Sequence, residues 1–502
     1  MEIGSSSLSL EELAQVVGGS GECVFGDESR RRVEAARQVI AQVEAGQVAV
    51  YGINTGFGDL ASVHIPGDKL ELLQERLILS HAAGVGEPLP DAAVRAMLLL
   101  RAHTLARGHS GVRIEVVELL LALLKHDVLP VVPCRGSVGA SGDLAPLAHL
   151  ALPLIGRGRV RLAGREVGAA EGLHHAGLAP VRLRAKEGLA LINGTQAMTA
   201  LLALAALDAR RLVRAADLIG ALSTEALRGT DTAFDARIHA LRPHAGQGRS
   251  AANLWRLLQD SRIRESHRLG DVRVQDPYSV RCMPQVHGAV RDVLADVERK
   301  VEIEINSVTD NPLVFPETGE VLSGGNFHGE PMAIAADCLA IAVSELGAIS
   351  ERRIEKLTNT AFSGLPPFLV RDAGLNSGFM IAQVTAAALA SENKTLCHPA
   401  SVDSIPTSAD KEDHVSMGMG AALKLGAVVR NVRTILGIEL VAAAQGIDLL
   451  RPLSSSAALE SVHAAVRSGV ARWDEDREMA PDLAWAEGFL AGPIDPHLRG
   501  LD

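Results

Sequence analysis

From Lys186 onward the chain is dominated by alanine- and leucine-rich runs at 195–216, 286–305, 331–357, 382–391 and 424–444. Most of these runs are too long for strands and read as helices. Helices of some 20 to 27 residues would reach roughly 30 to 40 Å at 1.5 Å per residue. Of the 502 residues 47% are hydrophobic and only 3% aromatic, so the core must be aliphatic. Such a core suits closely packed helices. The expected architecture is mainly α: a long-helix bundle with C-terminal helices over 195–502, and a smaller, loop-rich N-terminal region over 1–194. No linker or repeat separates the two, and they are expected to act as one continuous unit. Rods with such extensive apolar faces commonly pack between subunits as well as within them.

The N-terminal region alternates shorter helices with loops. Ser9 and Glu12 have capping-box spacing and predict a helix opening at about Leu10. Further helices are expected over 28–46, 70–80 and 112–127. Another should start at Asp91, as N-cap, and stop at Gly108. Segments 160–167 and 181–183 are the expected short strands. The apolar run Val48-Ala-Val breaks into Tyr51-Gly-Ile-Asn-Thr-Gly-Phe-Gly58, placing one of only two tyrosines in a glycine-rich turn.

Several function classes fit poorly. A net charge of −11 gives no basic face for nucleic acid. The five cysteines are scattered without a C-x-x-C spacing, so neither a disulfide framework nor a zinc knuckle is expected, and a reducing cytoplasm fits. The stretch 188–207 lacks charge, but Asn193, Gly194, Thr195, Gln196 and Thr199 interrupt it, so a buried helix is expected there and no membrane span. Met1-Glu-Ile-Gly-Ser-Ser-Ser has no basic or apolar stretch, and no secretion signal is expected.

The loop Gly136-Ser-Val-Gly-Ala-Ser-Gly-Asp-Leu144 can generate an electrophile from backbone alone. If the loop forces the Gly142 nitrogen onto the Ala140 carbonyl carbon, a five-membered ring closes. Loss of water and of the Ser141 hydroxyl then leaves an exocyclic methylidene on an imidazolone. Gly142 has no Cβ to block its nitrogen, Ala140 is small, and Ser141 carries the leaving hydroxyl. Three glycines could also cradle a phosphate, but neither the P-loop lysine nor the dinucleotide spacing is present. The longer string Gly136-Ser-Val-Gly-Ala-Ser-Gly-Asp-Leu-Ala-Pro-Leu-Ala-His149 closely resembles the signature of the histidine/phenylalanine ammonia-lyase family. That resemblance implies a methylidene-imidazolone prosthetic group formed from Ala140-Ser141-Gly142, with no external cofactor.

The resemblance extends along nearly the whole chain. Tyr51-Gly-Ile-Asn-Thr-Gly-Phe-Gly58 is similar to the loop with the family's catalytic tyrosine, and Asn193-Gly-Thr-Gln196 to an asparagine motif lining the active site. Gln275-Asp-Pro-Tyr278-Ser-Val-Arg281 resembles the segment whose arginine holds the substrate carboxylate. Gly324-Gly-Asn-Phe327-His328 and Asn376-Ser-Gly-Phe-Met380 also match. The chemistry of each residue agrees. Arg281 can grip a carboxylate by two parallel hydrogen bonds, although its sequence position alone favours a surface or bundle salt bridge. Tyr51, with an ordinary pKa of about 10, can act as a base only where positive groups or donors stabilise its phenolate. Asn193 can donate to an oxygen that gains charge during reaction. Gln275 and Tyr278 would shape the substrate site, or else serve the loop's own hydrogen bonding.

Two positions bear on the substrate. His81 resembles the family position that meets the substrate ring, and a histidine there suits imidazole or phenol. Glu412, in Lys411-Glu412-Asp413-His414, matches the histidine-using branch, where a carboxylate can accept an imidazole N–H. Met417-Gly-Met-Gly420 departs from the proline-containing run of many such members, and Cys134-Arg135 departs just before the signature. Neighbouring side chains at 412–414 diverge and have no i, i+4 histidine pair, so no metal is expected. The resemblance thus implies non-oxidative loss of ammonia from L-histidine to give trans-urocanate, in a homotetramer whose active sites mix residues of different subunits. Alternatives are a tyrosine or phenylalanine ammonia-lyase, an aminomutase, or a non-catalytic helical scaffold.

Overall fold

The computed structural model describes residues 1–45, 50, 52–56, 65–271 and 273–501. Among the described residues the fold is 60% helical, with 20 α-helices and little strand. The long apolar runs form Gln196–Ala226, Met283–Ile305, Glu330–Thr358, Met380–Leu396 and Gly418–Leu449. Each continues past its run at one or both ends, because packing of an apolar face carries a helix beyond its most strongly patterned stretch. Glu330–Thr358 is long and apolar enough to cross a membrane, but 67% of its apolar window is buried within the protein. Helices without such runs, among them Ala245–Leu257, Ala457–Gly469 and Ala480–Leu490, also belong to the second half.

The chain divides into two compact units, each assembled from three segments. The first comprises Met1–Leu204, Glu298–Asp337 and Pro399–Leu423. Its central helix is Asp91–Ala106, buried on nearly every side from Ala93 to Ala106 and packed against Leu10–Val17 and Ile114–Lys125. Leu10–Val17 opens with the reciprocal Ser9–Glu12 capping box. Asp91 is not an N-cap. Pro90 occupies that position, and the Asp91 carboxylate pairs with Arg161 at 2.7 Å. Gly108 does end the helix, at φ +80°, where a Cβ would lie 2.6 Å from that of Arg32. Leu70–His81 packs on Leu144–Ala151 and Glu187–Ile192.

Among the described residues strand is confined to small antiparallel patches. The single strand expected over 160–167 is instead a hairpin of Arg159–Leu162 and Arg165–Gly168, turning at Ala163-Gly164, which Leu129–Pro130 joins. Segment 181–183 is unpaired coil, since a β-rich tripeptide without a partner gains nothing from its propensity. Val85–Pro88 pairs with Pro133–Arg135, and Leu313–Phe315 with Glu320–Leu322.

The second unit comprises Ala205–Val297, Cys338–His398 and Lys424–Asp502. Inside it Glu439 takes two parallel bonds from the buried Arg353, at 2.6 and 2.8 Å, and one each from Ser223 and Ser350 at 2.5 Å. Full pairing is what makes two buried charges tolerable in an aliphatic bundle.

Candidate active site

The glycine loop is shaped by its hydrogen bonds. Gly136, Gly139 and Gly142 all have positive φ, at +134°, +71° and +69°. A Cβ on Gly142 would lie 2.1 Å from the Gly194 carbonyl oxygen, so no other residue fits. The following amide, Asp143 N, donates to that same carbonyl at 2.7 Å. The Asp143 side chain reaches away from its own helix, accepting from Ser137 Oγ and from Met198 N, both at 2.8 Å. Burial pushes its carboxyl up to about 6, against these bonds.

Two distant segments close over the loop. Ser416 Oγ donates to Gly139 O at 3.0 Å and Met417 N to Val138 O at 2.8 Å. Gly329 N also donates to Gly139 O, at 3.2 Å. These ties bring Glu412 and Phe327 to a cavity of about 900 Å3 that His81, Ala140, Ser141 and Asn193 also line. Ser141 Oγ donates to Glu412 Oε1 at 2.9 Å, and Thr407 Oγ1 to Glu412 Oε2 at 2.6 Å. His81 Nδ1 lies 2.9 Å from the Leu77 carbonyl, which can only accept. The ring proton therefore sits on Nδ1, leaving Nε2 as an acceptor. Burial lowers the His81 pKa and keeps the ring neutral.

The residues present fit a methylidene-imidazolone. Gly142 has a positive φ and no Cβ to block its nitrogen, and Ser141 offers its hydroxyl to a carboxylate. Asn193 donates Nδ2 to Asn311 O at 3.0 Å, while its buried Oδ1 has no partner. One Asn193 N–H is thus committed to Asn311 and the second remains for an acceptor in the cavity.

Three of the remaining four expected residues are described. Tyr51 is outside the described residues. Gln275, Tyr278 and Arg281 belong to the second unit, where Gln275 and Arg281 line a cavity of about 640 Å3 with Arg264 and Arg273. The Arg281 guanidinium lies 4.6 Å over the ring of the exposed Tyr278, and its buried Nε has no hydrogen-bond partner. It forms no ion pair with a described residue.

His328, Glu330 and His414 bring ligand atoms within 4.8 Å of one another at the cavity rim, a grouping that the spacing within 412–414 does not reveal. Here hydrogen bonds occupy both His328 nitrogens: Nε2 with His414 O at 3.2 Å, and Nδ1 accepting from Glu330 N at 3.3 Å.

Sequence reasoning also missed the residues behind the loop. Arg101 Nη1 donates to Asn193 O at 2.8 Å, and Lys186 Nζ to Asp310 Oδ2 at 2.7 Å, all fully or almost fully buried. The available signal was a lone arginine in the apolar run Met97-Leu-Leu-Leu-Arg101-Ala.

Comparison with known proteins agrees with this geometry. Residues 8–468 match the model of the family described as "Aromatic amino acid lyase". A histidine ammonia-lyase of Deinococcus radiodurans is 56% identical over 483 residues, 96% of this chain and 92% of that relative. The crystal structure of histidine ammonia-lyase from Trypanosoma cruzi superposes with a TM-score of 0.92 at 46% identity, covering 99% of this chain and 94% of its own. A tyrosine aminomutase from Streptomyces globisporus gives 0.94 at 38% identity, covering 100% and 98%. Matched nearly throughout its length, the chain belongs to the aromatic amino acid lyase family and is a carbon–nitrogen lyase.

Proposed function

We propose that the chain is a histidine ammonia-lyase, releasing ammonia from L-histidine to give trans-urocanate. The observation that carries this reading is the Glu412 carboxylate, 2.9 Å from Ser141 Oγ inside the cavity. A carboxylate there accepts an imidazole N–H, whereas a phenyl ring would leave it desolvated and unpaired. His81 Nε2 adds a second acceptor for a polar ring, and Phe327 an apolar wall.

A methylidene-imidazolone formed from Ala140-Ser141-Gly142 supplies an electrophilic carbon that makes ammonia a better leaving group. The chain's own residues do the rest. Arg281 holds the substrate carboxylate through its guanidinium. Gln275 and Tyr278 flank it. Tyr51 removes the β-proton through its phenolate oxygen. Asn193 donates its second amide hydrogen to charge developing at the loop. Because these residues lie on well-separated segments, the reading includes a cytoplasmic homotetramer with sites shared between subunits.

Side-by-side assays of L-histidine, L-tyrosine and L-phenylalanine, with products identified by mass spectrometry, test the assignment. Urocanate from histidine, with little turnover of the others, is expected. Cinnamate-type products or β-amino acids in excess of urocanate would replace it with the tyrosine or phenylalanine reading.

A further inference from the structure

Arg101 is fully buried in the central helix of the first unit, yet a single donor of its guanidinium is bonded, and that bond goes to the Asn193 carbonyl. Its Nε and Nη2 are buried without partners. A cation so poorly matched is costly to bury, and a neutral donor could hold one carbonyl as well. Lys186 presents a second oddity. It adopts a left-handed conformation, φ +72°, which glycine would take with less strain. Its ammonium is fully buried on Asp310, and burial lowers its pKa.

These groups converge on one turn. Lys186 precedes, and Asn193 ends, the helix Glu187–Ile192. Asp310 Oδ1 accepts from Asn311 N, and Asn311 O accepts from Asn193 Nδ2. Both the carbonyl and the side-chain amide of Asn193 are thereby fixed from behind. The next residue, Gly194, has no space for a Cβ, with Arg101 Nη1 2.9 Å from that position, and its carbonyl fixes Asp143 N and packs on Gly142.

We propose that Arg101, supported by the Lys186–Asp310 pair, is a positioning residue that sets the Asn193–Gly194 turn, and through it the Gly142 nitrogen for ring closure. The inference rests on the reading of this loop as a self-cyclising one. Closure forms the bond from Gly142 N to Ala140 C. One water leaves as the Ala140 oxygen with hydrogens from the Gly142 and Ser141 nitrogens. The second leaves as the Ser141 hydroxyl with the Ser141 α-hydrogen.

The test compares the full chain with Arg101→Lys and Arg101→Gln, reading intact mass against time after synthesis, circular dichroism, and kcat and KM separately. In the wild type the mass falls by two waters; a wild-type chain of full mass with no turnover would instead overturn the functional reading itself. For Arg101→Gln, wild-type helicity with ring closure at least tenfold slower and kcat reduced more than KM is altered is expected. Arg101→Lys, which keeps the charge, should recover a measurable part of both. Arg101→Gln maturing at the wild-type rate overturns the proposal, as does Arg101→Lys doing no better than Arg101→Gln. Failure of both variants to fold also overturns it, by assigning Arg101 to stability alone.

Discussion

Replacing Gly142 by alanine separates backbone strain from close approach. At φ +69° a Cβ costs about 1–2 kcal/mol in the left-handed region. Close approach costs more: the new carbon would lie 2.1 Å from the Gly194 oxygen and 2.3 Å from its carbonyl carbon. Both are backbone atoms, and the turn is held by Arg101 and Asp143, so no side chain can rotate away. Moving Gly194 would break the 2.7 Å bond from Asp143 N, a buried interaction whose loss costs about 1–3 kcal/mol. The closed loop geometry should thus be disfavoured by about 2–5 kcal/mol, which at ~1.4 kcal/mol per decade is roughly one and a half to three and a half orders of magnitude in population. Gly164→Ala is the control, since Gly164 has φ +76° with nothing within 4 Å of the added carbon. Intact mass after expression is the assay. Gly142→Ala should keep its full mass and show no turnover, while Gly164→Ala should lose two waters as the wild type does. A Gly142→Ala chain that matured at the wild-type rate would refute the claim that this contact sets the loop.

Glu412→Gln exchanges a charge-assisted acceptor for a neutral one, so kcat/KM for histidine should fall roughly tenfold, for about 1–2 kcal/mol, while relative activity on tyrosine rises; parallel assays that left the ratio unchanged would remove Glu412 from ring recognition. Glu439→Gln strips the countercharge from the buried Arg353 and should destabilise the second unit by about 3–5 kcal/mol, read as an earlier urea midpoint at constant protein concentration. His103 is held neutral by burial, its pKa lowered from 6.5 to about 4. The unfolded chain therefore takes up this proton first as pH falls, and stability from this group drops between pH 6.5 and 4 by about 3 kcal/mol at ~1.4 kcal/mol per pH unit. The urea-midpoint difference between wild type and His103→Gln should accordingly narrow across that window, and a difference independent of pH would contradict the assignment. Mixed chains of Tyr51→Phe and Ser141→Ala, dissociated and reassembled, should regain part of the activity if each site draws on different subunits; hybrid tetramers confirmed by mass that stayed inactive would place both residues in one chain.

What the sequence discloses follows from the range of the interaction that decides each feature. The long helices are legible because their apolar runs need only a core of some kind, and length with periodicity suffices. Ser9–Glu12 is legible because a capping box is complete within four residues. Asp91 fails as an N-cap because the decision lies outside its neighbourhood, with Arg161 on a hairpin 70 positions later. Segment 181–183 fails as a strand for the same reason, lacking any edge to pair with. Pro88 and Pro133 argue locally against the pairing of Val85–Pro88 with Pro133–Arg135, although proline is tolerated in so short an edge. In the site, Ala140-Ser141-Gly142 announces its chemistry by residue type, but nothing local links Ser141 to a glutamate 271 positions away; only resemblance brings Glu412 forward. Arg101 is the opposite case. Its partner is 92 residues distant, but an arginine within the apolar run Met97-Leu-Leu-Leu-Arg101-Ala is itself a local contradiction between residue type and burial. Such contradictions persist where another requirement outweighs them, and here the arginine lies directly behind the turn that shapes the electrophile loop.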